Sequence, residues 1–406
     1  MKVRAFRGVR PTAELASQVA SVPYDVVNAE EAHALASGNP HSFLHVVRAE
    51  IDLDAGTDHY ADAVYAQSAR ALACMREAGV LVQDEGPQLY VYELTMGGHS
   101  QCGVITCCAV SDYEDGTIKR HEQTREEKLR DRVKLVDALS AHSGPVFLTY
   151  RDCDAVDALV DAARQTQPLI NLTRDDGNRH TIWTAPDPSA LKAAFGTVPA
   201  AYIADGHHRA AAAAEVARMR RDGAVADDRA ESDWFLGVLF PASQMCILPY
   251  NRVVQDLHGQ TPAAFLDALA EVGHLTPGAP AVPAQRGHVG LYIEGAWHSL
   301  TWREGVVDRS DEVGRLDVSV LQQRVLEPLL GIADPRRDER IAFVGGIRGM
   351  GELERLVDSG RAAVAFAMHP VEVEDLIDVS DAERLMPPKS TWFEPKLLSG
   401  LLVHVF

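Results

Sequence analysis

Apolar and polar positions alternate along this chain in short blocks whose period changes often. Residues 60–79 carry apolar side chains at helical spacing and predict a long helix. Residues 88–95 and 103–110 are apolar runs joined by 96–102, which predicts a β-hairpin. The highly charged stretch 121–141 predicts a second long helix, and the run 144–150 a buried strand. A helix over 154–165 and strands at 169–172 and 180–184 follow. Nearer the start, 21–28 reads as extended, with Asn28 as N-cap of a helix 29–37, and 41–49 reads as a strand. Past the middle, 234–240 and 245–254 read as strands, 288–293 and 297–302 as a hairpin, and 316–330 as a helix. The pattern closes with strand 340–344, helix 352–359, strand 362–368 and a short helix 371–377. Without a clean βαβ repeat, the fold class is α+β, with mixed sheets and interspersed helices. The Pro- and Gly-rich stretch 276–285 is the clearest linker. It divides a main domain, 1–274, from a C-terminal α/β portion, 286–406.

Composition narrows the class. The chain has 406 residues, 46% of them hydrophobic, ample for a large core. Its formal net charge is −19, which argues against a nucleic-acid or anionic-membrane partner but leaves room for a local basic pocket. None of the six cysteines forms a CxxC pair, and Cys107-Cys108 falls inside an apolar run. With neither a signal-like start nor a run of about twenty apolar residues, the expected location is the cytoplasm.

One segment concentrates chemistry. Residues 201–204 read as a strand, Asp205-Gly206 as a turn, and His207-His208-Arg209 open an Ala-rich helix to about residue 221. Unpaired N–H groups and the dipole at a helix start favour an anion. Arg209 and two imidazoles add to this, and Asp205 at the rim could hold a metal or take a proton. Asp-Gly is also an ordinary turn, and Asp205 could simply cap the helix.

Two further clusters stand out. His121-Glu122 opens the charged helix, where His121, Thr124 and Lys128 can share a face. The rest of that charge reads as a solvated surface with pairs such as Glu126–Arg130 and Lys128–Asp131. Near the end, Met386-Pro-Pro-Lys389-Ser390-Thr391 is followed by Lys396. It offers an ammonium and two hydroxyls suited to phosphate oxygens, or else a loop that merely seals the fold. Asp25, after an extended segment, and Arg252, in an apolar strand, are weaker candidates for substrate binding. Gly345–Gly351 lacks both the GxGxxG spacing and the Walker lysine and reads as a glycine-rich turn. No zinc spacing is present, and the adjacent His207 and His208 diverge on a helix.

In order, Phe6-Arg-Gly8, Pro23-Tyr-Asp-Val26, His121-Glu-x-Thr124, Asp131-Arg132, Asp205-Gly-His-His-Arg209, Leu316-Asp-Val-Ser-Val-Leu321 and Met386-Pro-Pro-Lys-Ser-Thr391 resemble a widespread bacterial and archaeal family of unknown function. The Asp-Gly-His-His-Arg motif is similar to that of free-serine kinases with a ParB/sulfiredoxin-like fold. The resemblance implies a nucleotide-dependent kinase acting on the hydroxyl of free L-serine or a similar hydroxy amino acid. On that reading ATP or ADP is the donor and Mg²⁺ the metal. Asp205, Glu122 and His208 carry the chemistry, with Asp205 and Glu122 as metal ligands. His207, Arg209, His121, Lys389, Ser390, Thr391 and Lys396 hold the nucleotide, the 389–391 segment returning to the same cleft. A homodimer is the oligomer carried with this reading. Two alternatives stay open: a non-catalytic ParB-like nucleotide switch, and a metal-dependent hydrolase built on His121, Glu122, Asp205 and His208.

Overall fold

The computed structural model describes residues 1–54, 56–221 and 228–406. The chain forms two compact units, one from Met1–Met245 with Pro395–Phe406, the other from Cys246–Glu394. Several sheets and interspersed helices give the expected α+β class. Among the described residues, no helix is long and apolar enough to cross a membrane.

The first unit is built on a nine-stranded mixed sheet. Its order runs from the edge strand Ile118–Lys119 through Ala201–Asp205, Val146–Tyr150, Trp234–Pro241, His99–Ala109, Tyr90–Met96 and Arg179–Thr184 to Ile170–Thr173, with Val3–Arg4 added on His99–Ala109. Two pairings are parallel, Ile118–Lys119 with Ala201–Asp205 and Val146–Tyr150 with Trp234–Pro241. The central strands read as continuous apolar runs because both faces are covered; Trp234–Pro241 is buried at every position. Cys107 and Cys108 lie in this sheet, fully buried, as the apolar run predicted. The predicted hairpin forms with a tighter turn, Gly97-Gly98 linking Tyr90–Met96 to His99–Ala109.

A second core lies under the helices Ala29–Ala36 and Asp62–Glu77, around Phe43, Leu44, Val46, Leu72 and Val403. Asn28 caps the first of these in a reciprocal capping box with Glu31, both bonds 2.9 Å. The stretch predicted as strand 41–49 is instead a helical turn, Leu44–Val47, running into a 3₁₀ turn, Ala49–Asp52. Its backbone groups bond locally, Val47 to Phe43 at 3.1 Å and Arg48 to Leu44 at 2.8 Å. A short apolar run fits a buried turn as well as a strand.

The second unit holds a wholly antiparallel six-stranded sheet. Its order is Gly273–Pro277, Ala296–Trp302, His288–Ile293, Val364–Met368, Tyr250–Val254 and Ile341–Gly345. The Pro- and Gly-rich stretch, expected to separate the domains, therefore only joins strands of one sheet. The unit boundary falls at Met245/Cys246 instead of 274–286, and the last twelve residues return to the first unit. The predicted strand 245–254 breaks at Pro249 into Cys246–Leu248 and Tyr250–Val254, which belong to different sheets. The helix predicted over 316–330 starts as Asp317–Leu321 and widens into a π-turn, Gln322–Leu326.

Candidate functional site

The strand Ala201–Asp205 and the helix His207–Arg220 form as the sequence predicts. Gly206 joins them at φ +98°, a left-handed conformation that glycine adopts at no steric cost. A Cβ there would also lie 2.8 Å from Arg209 Nε. The Ala run is packing: Ala210, Ala212, Ala213 and Ala217 are at most 1% exposed, and small side chains let the helix sit close to its neighbour, Glu126–Leu139.

Parallel pairing assembles the site. Ala201 lies opposite Ile118 and Tyr202 opposite Lys119, so residues after each strand emerge side by side at one end of the sheet. His121 and Glu122 thereby reach Asp205 and His207. Both precede the helix Glu126–Leu139; the helix expected from 121 starts five residues later. The shared face of His121, Thr124 and Lys128 therefore does not form.

His121 and His207 pack edge to face, ring centroids 4.6 Å apart, and the His121 N–H points at His207 Nε2 over 3.5 Å. They are 2% and 5% exposed. Burial pushes His121 down to about 4 and His207 well below its ordinary value, His121 adding to the effect on His207. Both rings are therefore neutral at physiological pH and bring no positive charge to the helix start. Glu122 is exposed, with one carboxylate oxygen 3.9 Å from His207 Nδ1.

Asp205 is the charged centre. Lys396 Nζ donates to its Oδ2 over 3.2 Å, and Arg209 Nη2 lies 3.6 Å from Oδ1. Burial alone would raise the Asp205 carboxyl, but Lys396 and then Arg209 outweigh it and hold the group well below the usual carboxylate range. Arg209 also donates through Nη1 to the Pro145 carbonyl. His208 accepts from the Arg125 N–H at 3.0 Å. Burial and then Lys128 push it down to about 4, against the pull of Asp25, which is exposed in the neighbouring turn. Among the described residues, no three His, Cys, Asp or Glu side chains converge as a metal cage.

Arg132, which the sequence offers only within the Asp131-Arg132 motif and without a site role, lies in the same region. It is 5% exposed, is held by Asp131 through Nε at 2.8 Å and Nη2 at 2.6 Å, and stacks 3.9 Å over the Tyr24 ring. Asp131 also accepts from Tyr65 at 2.9 Å, so it is buried structure and not the surface partner of Lys128. The signal was available: Arg132 occupies the same helical stripe as Leu135, Val136 and Leu139, an arginine where an apolar residue was due.

The other candidates lie in the second unit. Arg252 is 3% exposed, and burial lowers its guanidinium to about 9. It donates to the carbonyls of Tyr250 and Lys389, so it clamps a turn of its own unit and is not presented to a substrate. Lys389, at φ +56°, lies 5.2 Å over the Tyr250 ring. Ser390 is buried and its hydroxyl donates to the Pro387 carbonyl at 2.6 Å, which removes it from the expected phosphate contacts. Thr391 is half-buried beside it.

Among solved structures, the chain is similar to a free serine kinase in complex with AMP, with 14% identity, 74% of this chain and 92% of that chain covered, and a TM-score of 0.34. It is similar to SbnI with a C-terminal truncation from Staphylococcus aureus, at 10% identity, 74% and 87% coverage, and a TM-score of 0.38. A conserved hypothetical protein from Pyrococcus furiosus shows 14% identity, 74% and 95% coverage, and a TM-score of 0.33. No curated protein matches. The profile of one family, described as a protein of unknown function (DUF1015), matches residues 3–319, and the chain belongs to that family.

Proposed function

We propose that the first unit is a nucleotide-dependent phosphotransferase that acts on the hydroxyl of a small molecule such as free L-serine. The observation that carries this reading is the gathering of Asp205, Lys396, His208, Glu122 and a glycine-preceded helix start at one end of the sheet. The charges that bear on the two imidazoles of this helix start include the cations Arg120, Arg125, Lys128 and Arg132. In a chain of net charge −19 this is a local positive field, and it suits the phosphates of ATP or ADP.

In the transfer, the acceptor oxygen forms a bond to the terminal phosphorus, the bond from that phosphorus to the leaving phosphate breaks, and the hydroxyl proton passes to a base. Asp205 is a weak base because two cations hold it ionised; its role is to fix Lys396 at the phosphates. Glu122, exposed at 3.9 Å from His207, is the proposed proton acceptor, and the neutral His208 belongs to the same helix start. Magnesium would come with the nucleotide, and Asp205 and Glu122 are the carboxylates available to it. The protein incubated with ATP or ADP, Mg²⁺ and a panel of hydroxy amino acids should give a phosphorylated product by mass spectrometry. Bound nucleotide with no transfer to any acceptor would overturn the enzyme reading in favour of a nucleotide-binding switch.

A further inference from the structure

The segment Pro395–Phe406 lies on the first unit as a strap, and it brings Lys396 to Asp205. Ser399 exchanges backbone hydrogen bonds with Ser21, and Val403 with Val9. At its end His404–Val405 pairs antiparallel with Ala141–His142, which sets His404 opposite His142. The Phe406 N–H donates to the Ser140 carbonyl at 2.9 Å. His142 and His404 are 5% and 1% exposed, and their rings stack with the two Nδ1 atoms 3.2 Å apart. His404 Nε2 lies 3.3 Å from a Glu231 carboxylate oxygen. The contact with His404, and then Arg4, lowers the Glu231 carboxyl, so it only accepts and the proton sits on His404 Nε2. His404 Nδ1 is then bare and accepts from the Nδ1–H of His142. That leaves His142 Nε2 bare, buried and without a hydrogen-bond partner among the described residues. The charged groups around the pair are Glu231, ion-paired with Arg4, and Arg220, which packs over the Phe406 ring and pairs with Asp137.

We propose that this histidine pair is an acid-operated catch: its protonation lifts the end of the strap from Ala141–His142 and loosens the hold on Lys396. The neutral pair carries two ring protons. A third either ends on His142 Nε2, where nothing accepts it, or faces the N–H already on His142 Nδ1. A fourth sets two N–H groups against each other across 3.2 Å. A buried donor without an acceptor and two like charges in contact both cost free energy, and lifting the strap relieves them because water then solvates the rings. Burial, then His404 and then Arg220, hold His142 well below its ordinary value while the strap is closed. A released imidazole takes a proton below about pH 6.5. The closed state therefore binds fewer protons, so the catch holds fully above that pH and weakens below it. At about pH 5.5 the opening equilibrium gains about tenfold from His142 alone. The chain after His142 also runs directly to Pro145, whose carbonyl accepts from Arg209. Both cations at Asp205 thus stand on segments that the catch joins. The proposal rests on the phosphotransferase reading only for the effect on transfer, and the opening of the strap is independent of it.

Amide hydrogen exchange of the whole chain, corrected for the intrinsic effect of pH, reads the strap without any ligand. In the wild type, residues 399–406 should lose about tenfold or more in protection between pH 7.5 and pH 5.5. His142→Asn offers an amide N–H in place of Nδ1–H and has no nitrogen that titrates, so its strap should stay protected at pH 5.5. His404→Gln keeps a donor for Glu231 and removes the second ring, and its loss of protection should be shallower than that of the wild type. Wild-type protection that does not change with pH, or an equal loss in the wild type and both variants, overturns the proposal. Phosphoryl transfer measured over the same range should fall more steeply in the wild type than in His142→Asn. Acid opening of the strap with no transfer to any acceptor would sink the kinase reading and leave the catch intact. Transfer that falls equally in the wild type and His142→Asn would do the reverse, removing the catch from the control of the site.

Discussion

Asp205 stands between Lys396 and Arg209, and both cations lose their shared anion if it is neutralised. Asp205→Asn keeps the shape and removes the charge that places Lys396. Turnover should fall about a hundredfold or more and nucleotide affinity far less, because the N–H groups of the helix start remain to hold the phosphates when Lys396 is released. Near-normal turnover in that variant would refute the role given to Asp205. His121 supplies a second prediction at this scale. In the unfolded chain an imidazole takes a proton below about pH 6.5; in the folded protein His121 does so only near 4. Between those values the unfolded state binds more protons, so stability falls as pH falls through the window, by up to about 3 kcal/mol from this residue alone. Urea midpoints measured from pH 7 to pH 4.5 should drop, and His121→Gln should flatten the slope. An unchanged slope in the variant would show that His121 is not the group responsible.

The element that matters most is the turn between strand Ala201–Asp205 and helix His207–Arg220. Its geometry needs a residue at φ +98° with no side chain against Arg209. Gly206→Ala is expected to cost about 1–2 kcal/mol from the backbone alone and to displace the Arg209 guanidinium as well. Chemical denaturation should show the loss, and ligand binding should weaken beyond what the stability change explains. A variant with wild-type stability would mean that the turn tolerates a Cβ. Much of this element is legible in sequence, since strand, Asp-Gly turn and helix follow from local pattern. The partnership with His121 and Glu122 is not, because it arises from the parallel pairing of strands more than 80 residues apart. The predicted helix start at 121 misses for a related reason: a charged run continues the helical pattern, while His121 is drawn out of it and buried against His207.

On the scale of the whole molecule, a net charge of −19 surrounds a helix start with a positive local field. Raising ionic strength from about 0.01 M to about 0.5 M shortens the Debye length from about 30 Å to less than half that, and so screens the exposed Arg120, Arg125 and Lys128. Nucleotide affinity should fall several-fold over this range. An affinity flat in salt would mean that these cations do not reach the ligand. The division into two units is also a whole-molecule fact, and it decides which candidates keep company. Lys396 belongs with Asp205 because the last twelve residues rejoin the first unit, whereas Arg252, Lys389, Ser390 and Thr391 belong to the second.

The sequence by itself determined the α+β class, most helices and strands, the capping of residue 29 onward, and the strand–turn–helix that carries Asp205. Each is written in spacing and turn chemistry within a few residues. Tertiary structure alone decided which charges meet. It buried His121 and His207 and so made them neutral, gave Asp205 two cations, turned Arg252 and the Ser390 hydroxyl inward, and stacked His404 on His142. These outcomes depend on desolvation and on contacts between distant segments, and a linear pattern of residue types contains neither.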